Sequence, residues 1–226
     1  MLIDLSHTVE DGLETYPGLP TPVVGAHRSH GDPQPGYAPG THFHIGRIDM
    51  VSNTGTYLDT PFHRFADGAD LAAVPLTSVA DLPGVLCSPE SRVIGPEALP
   101  EVELSGSAVL FETGWSRHWG TPDYFAGHPF LTGAAARELV RRGVALVGID
   151  SLNIDDTSDA ERPVHTALLA AGIPIVEHLT NLDAIPPGAF RFFAPPVKVG
   201  GMGTFPVRAF ALIEAPRLPD AERGGR

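Results

Sequence analysis

Apolar and polar positions along this chain change period several times, and each change marks an element. The opening MLIDLSHTV reads as a strand. From residue 10 to about 41 the pattern dissolves among Gly, Pro and His, which predicts a long irregular excursion, and loops of that length usually carry function. FHIGRIDMV then alternates at period two through Phe43, Ile45, Arg47 and Asp49, predicting a strand that delivers the chain into the polar stretch SNTGTYLDTPFHRF, residues 52–65.

The second half repeats a simpler theme. AVLFET, after Ser107, reads as a short buried strand followed by the aromatic-rich loop TGWSRHWGTPDYF. Thr132 is placed to cap a helix over GAAARELVRR, Gly143 to stop it, and VALVGID follows at once as a central strand. A second helix-then-strand unit comes next, with VHTALLAAG (164–172) as the helix and IPIVEHL (173–179) as the strand. FRFFAPP and VRAFALIEA read as two further strands joined by the turn-rich KVGGMGTF. With no internal repeat and no linker, the pattern predicts one domain, residues 1–226, of mixed α/β class.

Composition narrows the function. A chain of 226 residues can bury a sizeable core without staples, and the single Cys87 excludes an internal disulfide. The start MLIDLSHTVEDG has no charged-then-apolar leader, so a reducing cytoplasm is the expected compartment. Apolar runs such as VALVG fall far short of the roughly 18 residues of a membrane span. A net charge of −12 with no basic cluster argues against nucleic acid. The 25 glycines and 23 prolines are spread between apolar segments, which suits a loop-rich globular enzyme with a small-molecule substrate.

Candidate chemistry gathers at Asp59, His63, His165 and Glu177. A helix and the strand after it lie side by side, so His165 and Glu177 can point at one place. Glu177 interrupts the apolar run IPIV, and a carboxylate in a buried strand needs a partner or a metal. Other residues have plainer readings. His42 and His44 share one strand face and read as surface; His178 faces away from Glu177 and reads as structural. Trp115, Trp119, Tyr124 and Phe125 either wall an aromatic substrate or pack. Arg64 is expected to pair with Asp67 or Asp70 unless it grips a carboxylate, and DDTSD (155–159) lacks the Gly and Glu of a calcium loop.

The stretch from Asn53 to His63, with GTYLDTPFH at its heart, resembles the H-x-G-T-H-x-D-x-P-x-H signature of the cyclase superfamily that includes bacterial kynurenine formamidases and isatin hydrolases. DLSHTV, TGW, GID, the segments at His165 and Glu177, FRFFAPP and FPVRAFA resemble that family's landmarks in the same order. The resemblance implies a swivelling β/β/α cyclase-like fold, a mixed sheet with flanking helices, and a homodimer or higher homo-oligomer. It also implies two metals held by the signature's first two His, its Asp, a later His and a Glu, with the last His moving protons.

Here Asn53 and Tyr57 stand where those first two His are expected, while Asp59, His63, His165 and Glu177 match. A neutral amide is a weak zinc ligand and a phenol of pKa about 10 a reluctant one, so the expected centre is mononuclear, one zinc or manganese on Asp59, His165 and Glu177. In that reading His63 is the acid and base, Glu177 also serves catalysis, Tyr57 helps hold an oxyanion, and Asn53 and Trp115 contact substrate. The expected activity is hydrolysis of a C–N or C–O bond in a small cyclic or aryl amide or ester, as in tryptophan and kynurenine metabolism. Two alternatives stay open: a metal-independent cyclase or dehydratase of small-molecule metabolism driven by His63, and a decayed enzyme that keeps its pocket for binding.

Overall fold

The computed structural model describes residues 1–33 and 35–213. In chain order its elements are β1 (Leu2–Asp4), β2 (Val23–Arg28), β3 (Ile45–Asp49), β4 (Tyr57–Asp59), α1 (Pro61–Arg64), β5 (Leu82–Cys87), β6 (Val93–Ile94), β7 (Ala108–Phe111), β8 (Phe130–Leu131), α2 (Gly133–Arg141), β9 (Leu146–Ile149), α3 (Pro163–Ala170), β10 (Ile175–Glu177), β11 (Phe190–Phe193), β12 (Thr204–Pro206) and β13 (Phe210–Ile213). Nine strands form one mixed sheet in the order β1-β13-β11-β5-β7-β9-β10-β4-β12. Its centre, β5-β7-β9-β10, is parallel and both flanks are antiparallel.

The central strands read as near-continuous apolar runs because they are covered on both faces. Along β7, Val109 and Phe111 join one core with Leu139 of α2 and Leu168 of α3. Ala108 and Leu110 point the other way, into a second core with Leu58, Leu82, Val176, Phe190, Phe192 and Ala211, so the second face is closed by the flanks of the sheet itself. The Thr132 cap forms as the sequence predicts, its side chain accepting from the Ala135 N–H at 3.2 Å, and Gly143 ends α2 with φ of 66°.

Three expectations change. The excursion over residues 10–41 is not wholly irregular, since β2 lies within it and pairs antiparallel with β3. That two-stranded ribbon stands apart from the main sheet with Val23, Ile45 and Ile48 61%, 46% and 55% exposed, and FHIGRIDMV supplies its strand β3 as the alternation predicts. The motif stretch itself contains a fully buried strand, β4, which its Gly and Pro hide from a propensity reading. KVGGMGTF likewise ends in a strand, β12. The last two residues of VRAFALIEA lie outside the described residues.

Candidate active site

The site is built where β4 is held between β10 and β12. Register places Tyr57 opposite Glu177 and Thr204 opposite Asp59. Tyr57 and Asp59 share one face of β4 while Leu58 enters the core behind it, and Glu177 faces the site while Val176 does not. Directly opposed side chains meet, and both pairs do. The Tyr57 hydroxyl donates to Glu177 Oε2 at 2.7 Å, and the Thr204 hydroxyl donates to Asp59 Oδ1. The other Glu177 oxygen, Oε1, accepts the Ile154 N–H at 2.7 Å.

His165 enters from the first turn of α3. Arg162 precedes that helix and has no capping oxygen in its side chain, so the orphan amides need another acceptor. Asp155 supplies it, accepting from the Val164 and His165 N–H groups at 2.7 and 3.0 Å and from His165 Nδ1 at 2.7 Å. An ionised carboxylate only accepts, so Nδ1 of His165 carries a proton, and Nε2 is turned to the site. There Nε2 lies 3.6 Å from Asp59 Oδ2 and 3.7 Å from Glu177 Oε1.

His63 approaches Asp59 from the other side, its Nδ1 3.6 Å from Oδ1 and 2.8 Å from Thr204 Oγ1. Thr204 has one hydroxyl proton and gives it to Asp59, so the His63 ring donates from Nδ1, and Nε2 of the neutral imidazole is left as a base. His63 lines the cavity with a side chain 35% exposed. Asp59, His63 and His165 each offer one ligand atom within 4.8 Å of the others.

The electrostatics are those of a crowded, dry carboxylate pair. Burial works against the Asp59 charge, but the His165 and His63 rings beside it and the Thr204 hydroxyl outweigh it and hold the carboxyl below its usual range. Burial, with the Asp59 charge, pushes Glu177 up to about 7 against the pull of His165. Burial disfavours a charged His165, yet Glu177, Asp155 and Asp59 together raise it to about 10. Tyr57 is raised well above 10 by burial and by the Glu177 and Asp59 charges, so it stays a phenol. Asp59 Oδ2 is fully buried with no hydrogen-bond partner.

A cavity of about 480 Å³ opens over these groups. Of the residues expected at the site, Asn53, Tyr57, His63, His165 and Glu177 line it, with Asp59 beneath them at 0% exposure. Two expectations are corrected. Trp115 does not line the cavity; its indole N–H donates to the Tyr124 carbonyl at 3.0 Å, a packing role. Tyr57 spends its only proton on Glu177, so it orients that carboxylate and does not aim at an oxyanion. His42 and His44 are exposed, and His178 is buried with Nδ1 2.8 Å from the Tyr124 hydroxyl, as their plainer readings expect.

Asp155 and Thr204 were not legible as site residues. Asp155 looks like one of several loop acids, although a helix start at Pro163 with no capping side chain before it is a faint signal that a distant acceptor exists. Thr204 gives no signal at all, because only the β4–β12 register brings it to Asp59.

With the geometry in place, comparison with known proteins assigns the family. Residues 3–156 match the family model described as "Putative cyclase". The chain belongs to that family. It is similar to the kynurenine formamidase of Geobacillus thermodenitrificans, 29% identical over 209 residues that cover 92% of this chain and 95% of the relative. Among solved structures it resembles a potential metal-dependent hydrolase with cyclase activity, with a TM-score of 0.76, 26% identity, and coverage of 93% and 96% of the two chains. The isatin hydrolase A of Ralstonia solanacearum, 21% identical with a TM-score of 0.80 over 95% and 92% of the two chains, shares the cyclase fold.

Proposed function

We propose that this cyclase-family protein hydrolyses the C–N bond of a small aryl or cyclic amide, formamides first among them, with one divalent metal, zinc or manganese. The observation that carries the reading is Asp59 Oδ2, a buried carboxylate oxygen with no hydrogen-bond partner that faces His165 Nε2. In the metal-free protein the protonated His165 and Asp59 form an ion pair at 3.6 Å without a hydrogen bond, and a metal ion taking the place of the Nε2 proton would engage both atoms. Two carboxylates and one imidazole, the last locked by Asp155, are a donor set that suits zinc or manganese. The kynurenine formamidase and metal-dependent hydrolase names of the relatives support the same class.

Asp59, His165 and Glu177 would hold the ion, which when bound supplies Lewis-acid polarisation of a carbonyl and a lowered pKa for water. The chain's own residues do the rest. His63 Nε2 takes a proton from the attacking water and returns it to the departing amine nitrogen, while Thr204 fixes the ring through Nδ1. Tyr57 keeps Glu177 oriented across the β4–β10 pair, and Asn53 lines the cavity beside it. The buried floor excludes bulk water from the reacting centre, which strengthens every polar contact there.

Dialysis against a chelator is the test. Formanilide hydrolysis is expected to stop and to return on adding zinc or manganese, measured as aniline release. Unchanged turnover by protein verified as metal-free would overturn the metal-dependent reading and leave His63 as the sole engine.

The placement of His63 also rests on a glycine. A Cβ at Gly203 would lie 2.3 Å from the His63 backbone nitrogen and 2.6 Å from its Cα, both backbone contacts that cannot rotate away. Gly203→Ala is therefore expected to displace α1 and lower kcat by about 100-fold, the cost of roughly 1 Å of misplacement, while far-ultraviolet circular dichroism stays folded. A variant within twofold of the parent would show that the position of His63 does not limit the reaction.

A further inference from the structure

The cavity over Asp59 has a second feature that hydrolysis of a neutral amide does not use. Its lining includes two guanidinium groups, Arg64 and Arg162. Arg64 follows His63 on α1, and Arg162 is the residue before α3, so they approach the same opening from the two short helices that carry the site.

Among the described residues neither cation has found a carboxylate. Arg64 reaches the Thr166 hydroxyl at 3.4 Å and lies 5.6 Å from the Phe65 ring centroid, and Arg162 donates to the Asp156 carbonyl at 3.2 Å. Among the described residues the arginine ion pairs are Arg141 with Glu138, Arg191 with Asp81 and Arg208 with Asp4. In a chain with 27 acids against 15 bases, two arginines on one cavity without an acidic partner among the described residues are conspicuous. The expected pairing of Arg64 with Asp67 or Asp70 does not occur; Asp70 is taken up by the Gly201, Ala72 and Ala73 amides.

Their placement is fixed through one residue. Thr166 accepts from Arg64, donates its hydroxyl proton to the Glu161 carbonyl at 3.2 Å, and its N–H bonds the Arg162 carbonyl at 2.9 Å. Arg162 is itself held at φ of 50°, a left-handed conformation that a non-glycine side chain adopts at a cost. The amides at the start of α3 are already satisfied by Asp155, so an anion arriving here meets the guanidinium groups and not the helix end.

We propose that Arg64 and Arg162 form an anion seat for a carboxylate on the substrate, remote from the scissile bond. This deepens the proposed function and rests on it: the substrate class becomes an aryl amide that carries a carboxylate. Planar guanidinium groups match a carboxylate in shape as well as charge. The seat holds the substrate's anionic end at the cavity opening while its carbonyl reaches His63 and Asp59.

Formanilide and the ortho, meta and para formamidobenzoates separate the outcomes. The best carboxylated substrate is expected to exceed formanilide in kcat/KM by at least about tenfold, mainly through KM, the worth of one charge-assisted contact. In the Arg64→Gln/Arg162→Gln variant, checked for its melting temperature, that ratio falls toward one, and single Lys replacements recover part of it. A ratio near one in the parent, or one the double variant leaves unchanged, overturns the seat. Should none of the amides be cleaved, the hydrolase reading fails by itself. Calorimetric binding of benzoate and the aminobenzoates against aniline then decides the seat: at least tenfold weaker carboxylate binding in the variant sustains it, and equal binding overturns it.

Discussion

Asp59→Asn is expected to abolish metal binding and to lower kcat/KM on an aryl formamide by about 10³-fold, with little change in fold. The substitution keeps the volume of a fully buried side chain and the Thr204 contact to Oδ1, so the β4–β12 pair has no reason to open. It removes the negative charge that both histidines face, His63 at 3.6 Å through Oδ1 and His165 at 3.6 Å through Oδ2. A neutral amide oxygen is a poor donor to zinc, and its NH₂ partner would point a proton where the ion belongs. Elemental analysis of protein purified without a chelator or a metal-affinity tag should give about one equivalent of zinc or manganese in the parent and none in the variant. A variant that keeps its metal and turns over within tenfold of the parent would remove Asp59 from the centre.

Asp155→Ala should weaken zinc affinity by about 10- to 100-fold, although Asp155 is not a ligand. It is buried at 0% exposure and makes three bonds, two to the amides that start α3 and one to His165 Nδ1. Losing the first two removes a helix cap, a loss of about 1–2 kcal/mol that lowers the melting temperature of the metal-free protein. Losing the third frees the imidazole to rotate, so Nε2 is no longer held toward the ion. Asp155→Asn separates the effects, since its amide oxygen can still accept from a backbone N–H but carries no charge for the ring. Melting temperature should recover with Asn more than zinc affinity does. Equal zinc affinity in the parent and in Asp155→Ala would mean that the triad of Asp155, His165 and metal does not operate here.

Both predictions depend on how three distant segments meet. Asp59 and Glu177 are 118 positions apart in sequence and Thr204 lies farther on, yet two registers, Tyr57 against Glu177 and Thr204 against Asp59, set every contact on the floor of the site. That floor has Asn53 and Tyr57 where two histidines are expected, and the structure shows what Tyr57 does instead: its hydroxyl donates a hydrogen bond to Glu177 Oε2. With burial and two nearby carboxylates holding it as a phenol, Tyr57 satisfies one lone pair of Glu177.

The sequence by itself determined a good deal. Periodicity and caps placed α2 and β9, the buried run AVLF, and the helix and strand around His165 and Glu177, because these elements are coded by local patterns of 2 and 3.6 residues and by single capping side chains. The matched signature residues pointed to Asp59, His63, His165 and Glu177, since the chemistry of carboxylate and imidazole survives without coordinates. Only the tertiary structure decided the rest. Trp115 looked like a substrate wall and turned out to pack on Tyr124; Asp155 looked like a solvent acid and is the orienting partner of His165. Arg64 looked like half of a surface ion pair and lines the cavity with Arg162. The physical reason is common to all of them: whether a polar side chain faces solvent, substrate or another buried charge depends on strand register and on which helix ends meet, and neither is written in the residues near it.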